Sequence, residues 1–378
     1  MSFVQMILFL LVVVVVLFGV HYLVYVTAIR IFSITDIAHQ RILLAVIAFL
    51  AVSFILASLL ARWYEDSLTR AFYFASGFWL GLLANLLMAL LAALLIAKLG
   101  QAAGFHINTT YLGAVLCVLA LGVSLHGVWN AYRPVVKTIT VNIPNLPAQW
   151  ENKRIVQISD AHLGFVHRES FLNNIVEKVN SARPDMVAIT GDLFDGINVN
   201  LDSLVSPLKN IEAPKGIFFV IGNHETYLGV EDAFAALKKT GVVNILDDAV
   251  ADVDGLKVVG IGYPKQGERK DVASVLKSLQ KEFQGYPTIL LHHTPGYIED
   301  VKNSGVNLQL SGHTHRGQLF PFEYIARLVY KKYEYGLHTQ GAYTLYTTSG
   351  AGTWGPPMRT GNVPEITVIT LVATDNQQ

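Results

Sequence analysis

The chain has 378 residues, more than one ordinary domain needs, and its 52% hydrophobic content with a mean hydropathy of +0.42 is high for a soluble protein. Lysine plus arginine (28) equals aspartate plus glutamate (28), so the net charge is zero, and the absence of a basic tract excludes long nucleic acid as a partner. The single cysteine, Cys117, excludes an intramolecular disulfide.

The apolar excess lies in the first third. A hydrocarbon core of roughly 30 Å needs about 20 apolar residues in a helix, and four stretches qualify: 4–26, 42–61, 72–97 and 111–131. The leading MSFVQ has no basic n-region and no small-residue cleavage site follows, so the first span is expected to remain in the mature protein. Within the spans Asn85, His126 and Asn130 are polar, and interhelical hydrogen bonding is expected of them rather than a transport path. No span carries Asp, Glu, Lys or Arg in its interior, which argues against a pump and for a membrane anchor or lipid-access scaffold. An even number of spans puts both termini on one side. Arg62, Arg70, Arg133 and Lys137 flank that side and Arg30, Arg41 and Lys98 the other, a positive-inside bias of four against three that predicts a cytoplasmic C-terminal domain.

The expected organisation is a transmembrane region at 1–132, a linker with an edge strand at 133–152, an α/β domain at 153–374 and a polar tail at 375–378. Residues 138–143 alternate and prolines follow at 144 and 147, the pattern of an edge strand that stops. Strand-like runs then recur at 155–158, 186–190, 217–221, 242–245, 256–261, 288–291, 308–310, 343–348 and 366–371, with helical spacing at 169–182, 231–239 and 271–283. Nine strands are many for one open sheet, so two sheets packed face to face are predicted.

Polar clusters close five of these strands. The run RIVQISDAHLG, 154–164, ends in Asp160 and His162; the others end in Asp192 with Asp195, in Asn223 with His224, in His292 with His293, and in His313 with His315. Residues i and i+2 of a strand face one side, so Asp160 and His162 can aim at one point. Taken alone, the same pair also suits a helix cap and a satisfied loop histidine. Four of the twelve histidines fall between His292 and His315, which chance scatter rarely achieves. Mixed carboxylate, amide and imidazole donors suit Mn, Fe or Zn, whereas a closed structural zinc site would use cysteines. So many ligands exceed one tetrahedral ion and suit two ions sharing a carboxylate. Flanking Gly191, Gly222 and Gly312 permit close approach of the turns.

The ordered blocks D-x-H, G-D-x-x-D, G-N-H-E, H and G-H-x-H resemble the calcineurin-like metallophosphoesterase superfamily across roughly 137–373. The ending LYTTSGAGTWGPPMRTGNVPEITVITL resembles its membrane-associated branch, which includes UDP-diacylglucosamine pyrophosphatase-like enzymes. With the four spans already read, the expected fold is an N-terminal four-helix transmembrane region followed by a four-layer α/β/β/α metallophosphoesterase sandwich. The resemblance implies one metal on Asp160, His162 and His315, a second on Asn223, His293 and His313, and Asp192 between them. His224 would contact the phosphate or protonate the leaving oxygen, and Asp195 would orient a ligand. The family pattern selects His293 over His292, which is expected to face the core. Two-metal chemistry then implies attack of a metal-activated hydroxide on phosphorus with no covalent enzyme intermediate.

Arg316 stands where many relatives have glycine and is read as a second phosphate contact or a surface arginine; Arg359 resembles a branch arginine that closes the substrate pocket. Residues 320–335 set Phe322, Ile325, Leu328 and Val329 at helical spacing beside Arg327, Lys331 and Lys332, which suits either a lipid interface or packing on the domain itself. The leading function is a membrane-anchored two-metal phosphohydrolase acting on a phosphate ester or pyrophosphate, with a lipid-linked substrate favoured by the anchor and the amphipathic segment. The alternatives are the same chemistry on a soluble nucleotide or phosphodiester with the spans as a tether, and an inactive metal-binding sensor or scaffold.

Overall fold

A computed structural model of the chain describes residues 3–374 apart from 197, 198, 266 and 269; the tail expected at 375–378 lies outside the described residues. Two compact units are present, 1–129 with 355–358 and 130–354 with 359–378.

The first unit is built from α1 (Phe3–Ile31), α2 (Ile37–Leu60), α3 (Ser67–Ala102) and α4 (Thr109–Ala131), one helix for each expected span. α2 and α3 start earlier than the apolar windows because aspartates cap them. Asp36 accepts the His39 amide at 2.9 Å, and Asp66 accepts the Leu68 and Thr69 amides at 2.8 and 2.9 Å, which recruits polar first turns into α2 and α3. Val24, Ile47, Leu83 and Leu90 meet in the interior, while the outward faces remain apolar, as a lipid solvent requires. Asn85 is an interhelical partner as expected, donating to Ser124 Oγ at 2.8 Å.

The second unit is a sandwich of two six-stranded sheets. Its strands are β1 (Val135–Ile143), β2 (Arg154–Ile158), β3 (Met186–Thr190), β4 (Ile217–Val220), β5 (Val243–Ile245), β6 (Ala249–Val253), β7 (Leu256–Ile261), β8 (Thr288–His292), β9 (Leu308–Ser311), β10 (Gly336–Gln340), β11 (Tyr343–Thr347) and β12 (Glu365–Ala373). One sheet has the order β1-β12-β2-β3-β4-β5 and the other β10-β11-β9-β8-β7-β6. The helices between them are α5 (Glu169–Ser181), α6 (Leu201–Val205), α7 (Asn223–Leu228), α8 (Val230–Thr240), α9 (Val272–Phe283), α10 (Ile298–Ser304) and α11 (Glu323–Tyr330). β1 sits at the edge and pairs in parallel with β12.

Ile155, Met186, Phe218 and Ile369 of the first sheet share one core with Val258, Leu291, Leu310 and Tyr346 of the second, so the two sheets pack face to face. On the far side of the second sheet Val259 and Leu290 pack against Val272, Leu276 and Phe283 of α9 and Val301 of α10. On the first sheet, α5 connects the parallel neighbours β2 and β3, and α8 connects β4 and β5. Right-handed crossovers advancing in one direction put both on the same outer face. The result is the predicted α/β/β/α layering.

Two strands escaped the sequence reading. β6 joins β7 through Asp254 and Gly255, both at positive φ (50° and 80°), a hairpin turn of the Asp-Gly kind. β10 forms a hairpin with β11 and alternates half-buried with exposed residues, which is too weak a pattern to stand out.

Candidate metal centre

Every candidate ligand lies just past a strand end rather than in the strand. β2 stops at Ile158, and Asp160 and His162 follow at φ 53° and 47°. Strand parity therefore does not aim them, contrary to the expectation from sequence; a left-handed backbone does. Asp192, His313 and His315 share this conformation, with φ of 50°, 72° and 48°. Residues with a Cβ pay roughly 1–2 kcal/mol each for it, and local hydrogen bonds hold them there. Asp160 N donates to Gly191 O and His162 N to Asp192 O, both at 3.1 Å, so the loops after β2 and β3 are zipped together beyond the sheet. Gly312 N donates to His293 O at 2.9 Å, and His313 N reaches the Asp160 carboxylate at 3.0 Å. A Cβ at Gly312 would overlap Asp160 Oδ2 and Ser159 Oγ, which is why glycine precedes the last two histidines.

The side chains converge in three overlapping groups, Asp160 with His162 and His315, Asp192 with His293 and His313, and between them His162 with Asp192 and His224. In the first, His162 Nε2 lies 3.0 Å from His315 Nε2, which is 3.4 Å from Asp160 Oδ1. In the second, His293 Nε2 lies 3.1 Å from His313 Nδ1, 3.2 Å from Asn223 Oδ1 and 3.1 Å from Asp192 Oδ2. Asp192 Oδ2 is also 3.9 Å from His162 Nε2, so this carboxylate stands between the groups. Ring nitrogens 3.0–3.1 Å apart need a proton or a cation between their lone pairs. The donor set of imidazole, carboxylate and amide oxygen without sulfur fits divalent Mn, Fe or Zn.

Burial pushes the Asp160 carboxyl up, with Asp192 adding to the shift and His293 opposing it. Burial also disfavours the Asp192 carboxylate, but His293 outweighs it and holds Asp192 well below the usual carboxylate range. Burial alone would lower His293; Asp192 overrides it and lifts the imidazole to about 10. Burial drives His313 down to about 3 and His315 well below the usual imidazole range, which keeps both as neutral lone-pair donors.

His224 belongs to the group that it forms with His162 and Asp192, between the other two. Its amide donates to Asp192 Oδ1 at 2.9 Å, its Nδ1 is 3.0 Å from the Asp195 carbonyl, and its ring stands edge-on to His162 with centroids 4.5 Å apart. Asp195 Oδ1 is 3.4 Å from His162 Nδ1, so this residue stands behind both imidazoles. His292 Nδ1 turns to the Ile261 carbonyl at 3.0 Å in the core, as expected.

The reading of Arg359 needs correction. Arg359 is completely buried and closes no substrate pocket. Its Nη2 donates to the carbonyls of Ser349 and Gly352 at 2.7 and 2.6 Å, its Nη1 to Asn362 Oδ1 at 2.6 Å, and its Nη2 lies 3.2 Å from His315 Nδ1. Gly352 N in turn donates to Asp160 O at 2.7 Å, so Arg359 sits beneath two candidate ligands of the first group. Burial lowers the guanidinium to about 10, which leaves it charged at neutral pH. The Arg316 guanidinium lies 4.4 Å from the Tyr335 ring centre and lines a basic pocket with Arg327, Lys331 and Lys332.

Glu225, the last residue of the G-N-H-E block, has a role that its place in the sequence does not reveal. It is completely buried and accepts the amides of Gly222 (2.7 Å), Asp192 (3.0 Å) and Phe194 (3.0 Å), tying the loop after β3 to the loop after β4. Aromatic rings border the cluster as well: Trp354 and Tyr227 stand 5.8 and 5.3 Å from His224, and Tyr263 and Tyr330 stand 6.4 and 5.9 Å from His313. Tyr227 comes from α7, Tyr330 from α11 and the other two from separate loops, so only the fold could gather them.

The family model described as calcineurin-like phosphoesterase matches residues 153–317. An uncharacterized metallophosphoesterase of Helicobacter pylori (strain J99) is 36% identical over 243 residues, 64% of this chain and 64% of that protein's length. One from Campylobacter jejuni is 35% identical over 259 residues, 68% of each chain. A Danio rerio transmembrane protein with metallophosphoesterase domain is 34% identical over 274 residues, 67% of this chain and 61% of its own length. The chain belongs to the calcineurin-like phosphoesterase family.

Proposed function

We propose that the protein is a membrane-anchored two-metal phosphohydrolase that cleaves a phosphate ester or pyrophosphate, with a lipid-linked compound as substrate. The observation that carries the chemistry is the meeting of Asp160, His162 and His315 with Asp192, His293 and His313 in buried surroundings. Asp160, His162 and His315 would hold one divalent ion, Asn223, His293 and His313 the other, and Asp192 both. Bound there, the pair supplies Lewis acidity for the phosphoryl oxygens and an acidified water as nucleophile.

The chain's own groups do the rest. The Asp195 carbonyl accepts Nδ1–H of His224 and fixes the tautomer that leaves Nε2 open to the cleft. Burial holds this imidazole neutral, and the negative phosphate of a bound substrate raises its proton affinity, so Nε2 can carry a proton to the leaving oxygen. Asp195 steadies His162, and Arg359 steadies His315 and the loop beneath Asp160. The four apolar helices and the family's transmembrane relatives support the anchored reading, and the catalytic domain is assigned to the cytoplasmic side on the basic-residue bias. The aromatic rim favours a second substrate reading, a soluble nucleotide whose base stacks on Trp354.

The test uses the full chain in detergent. Dialysis against a strong chelator should abolish phosphate release from a panel of lipid pyrophosphates, nucleotides and a chromogenic diester, and reloading Mn²⁺ or Zn²⁺ should restore it. Turnover that survives complete metal removal would refute the chemistry. Preference for a nucleotide over every lipid would move the substrate assignment to the second reading.

A further inference from the structure

α11 differs from the other helices of the sandwich. None of its residues is buried, whereas α5, α8 and α9 each bury an apolar stripe. Phe322, Ile325, Leu328 and Val329 recur at i, i+3, i+6 and i+7, and all are exposed, Leu328 at 81% and Val329 at 65%. Phe320 and Tyr324 enlarge the same apolar surface. An exposed patch of this kind on one short helix marks an interaction surface. Its neighbour is a pocket lined by Arg316, Arg327, Lys331 and Lys332, with Leu328 on its edge. Glu334 is the acidic residue there, and Arg327 engages it, with Nη2 3.1 Å from Glu334 Oε1, so Arg316, Lys331 and Lys332 remain in excess. Lys331 adopts φ 55°, which ends the helix and turns the two lysines toward the pocket wall.

We infer that α11 and this pocket form a docking surface for an anionic phospholipid bilayer: Ile325, Leu328 and Val329 enter the acyl boundary while Arg316, Lys331 and Lys332 hold headgroup phosphates. A second protein would not need the cations massed beside the apolar stripe, whereas a bilayer presents acyl chains and phosphates at that spacing. A chain with four apolar helices also keeps such a bilayer permanently at hand. The pocket contains none of the candidate metal ligands, so the surface is distinct from the hydrolytic site.

The experiment uses the full chain in nanodiscs on a Cys117→Ala background. Leu328→Cys carries a nitroxide, and Lys277→Cys, exposed on α9, is the control. Discs contain phosphatidylcholine alone or phosphatidylcholine with phosphatidylglycerol. In anionic discs the label at 328 should become accessible to oxygen and shielded at least several-fold from a water-soluble nickel chelate, while the label at 277 stays wet in both. Lys331→Glu with Lys332→Glu should return the label at 328 to water in anionic discs. Three results would overturn the inference: a label at 328 that is wet in both discs, one shielded from oxygen and nickel alike as under a protein partner, or shielding indifferent to phosphatidylglycerol and to the lysine reversals. None of these readouts depends on turnover, and an unchanged nitroxide line shape at 277 shows that α9 keeps its fold in the variants.

Discussion

Asp192 illustrates how much one side chain must satisfy at once. One oxygen takes the His224 amide and the other faces His293 and His162, so its charge is both braced and shared. Asp192→Asn keeps the shape but removes the charge, and both metal content and phosphate release should fall together. His224→Ala should leave metal content unchanged, measured by elemental analysis, while kcat drops about 10²–10⁴-fold; an unaltered kcat would remove His224 from the catalytic step. Arg359 is predicted to act through His315 and Asp160. Arg359→Lys cannot reproduce the fork of carbonyl contacts, so metal affinity should weaken about 10–100-fold while KM in saturating metal stays put. A raised KM with intact metal binding would restore a substrate role. Glu225→Gln leaves one buried amide facing an NH₂ group, at a cost of about 1–3 kcal/mol, readable as a lower melting temperature.

At the scale of elements, the site depends on loops that continue beyond the sheets. β2, β3, β8 and β9 deliver their loops to one edge, and hydrogen bonds such as Gly312 N to His293 O and His162 N to Asp192 O lock the loops to each other. Gly312→Ala should therefore displace Asp160 and lose metal, although the residue is no ligand; metal content at wild-type level would show that the loop can yield. Gly317 plays the corresponding part for α11. It has φ 77°, and a Cβ there would overlap the Glu323 backbone, so the helix packs directly on the turn that follows His315. Tyr330 closes the far end of α11 near His313, which couples this exposed helix to the rim of the cluster.

For the whole molecule, the membrane side decides which substrates the site can meet. With Cys117→Ala as background, Lys277→Cys should resist an impermeant maleimide in intact cells and react after permeabilisation if the sandwich is cytoplasmic. Labelling of intact cells would reverse the assignment. The four spans were legible because lipid demands long uninterrupted apolar helices, a requirement met locally in the chain. The nine long strand runs were legible for a similar reason, since strands buried on both faces, such as β3 and β8, read as continuous apolar segments. β10 was not, because a half-exposed edge strand leaves little pattern, and β6 was missed although its Asp-Gly turn was in plain view.

Sequence by itself determined the chemical identity of the site: donor types clustered after successive strands point to metals wherever the backbone later takes them. Tertiary structure alone decided how they are aimed. Left-handed turns at Asp160, His162, Asp192, His313 and His315 replaced strand parity, because loop conformation is set by contacts with other loops rather than by neighbours in the chain. It also sent Arg359 beneath the cluster and Arg316 to the α11 pocket, since an arginine's role follows from the acceptors within reach, and those come from distant segments.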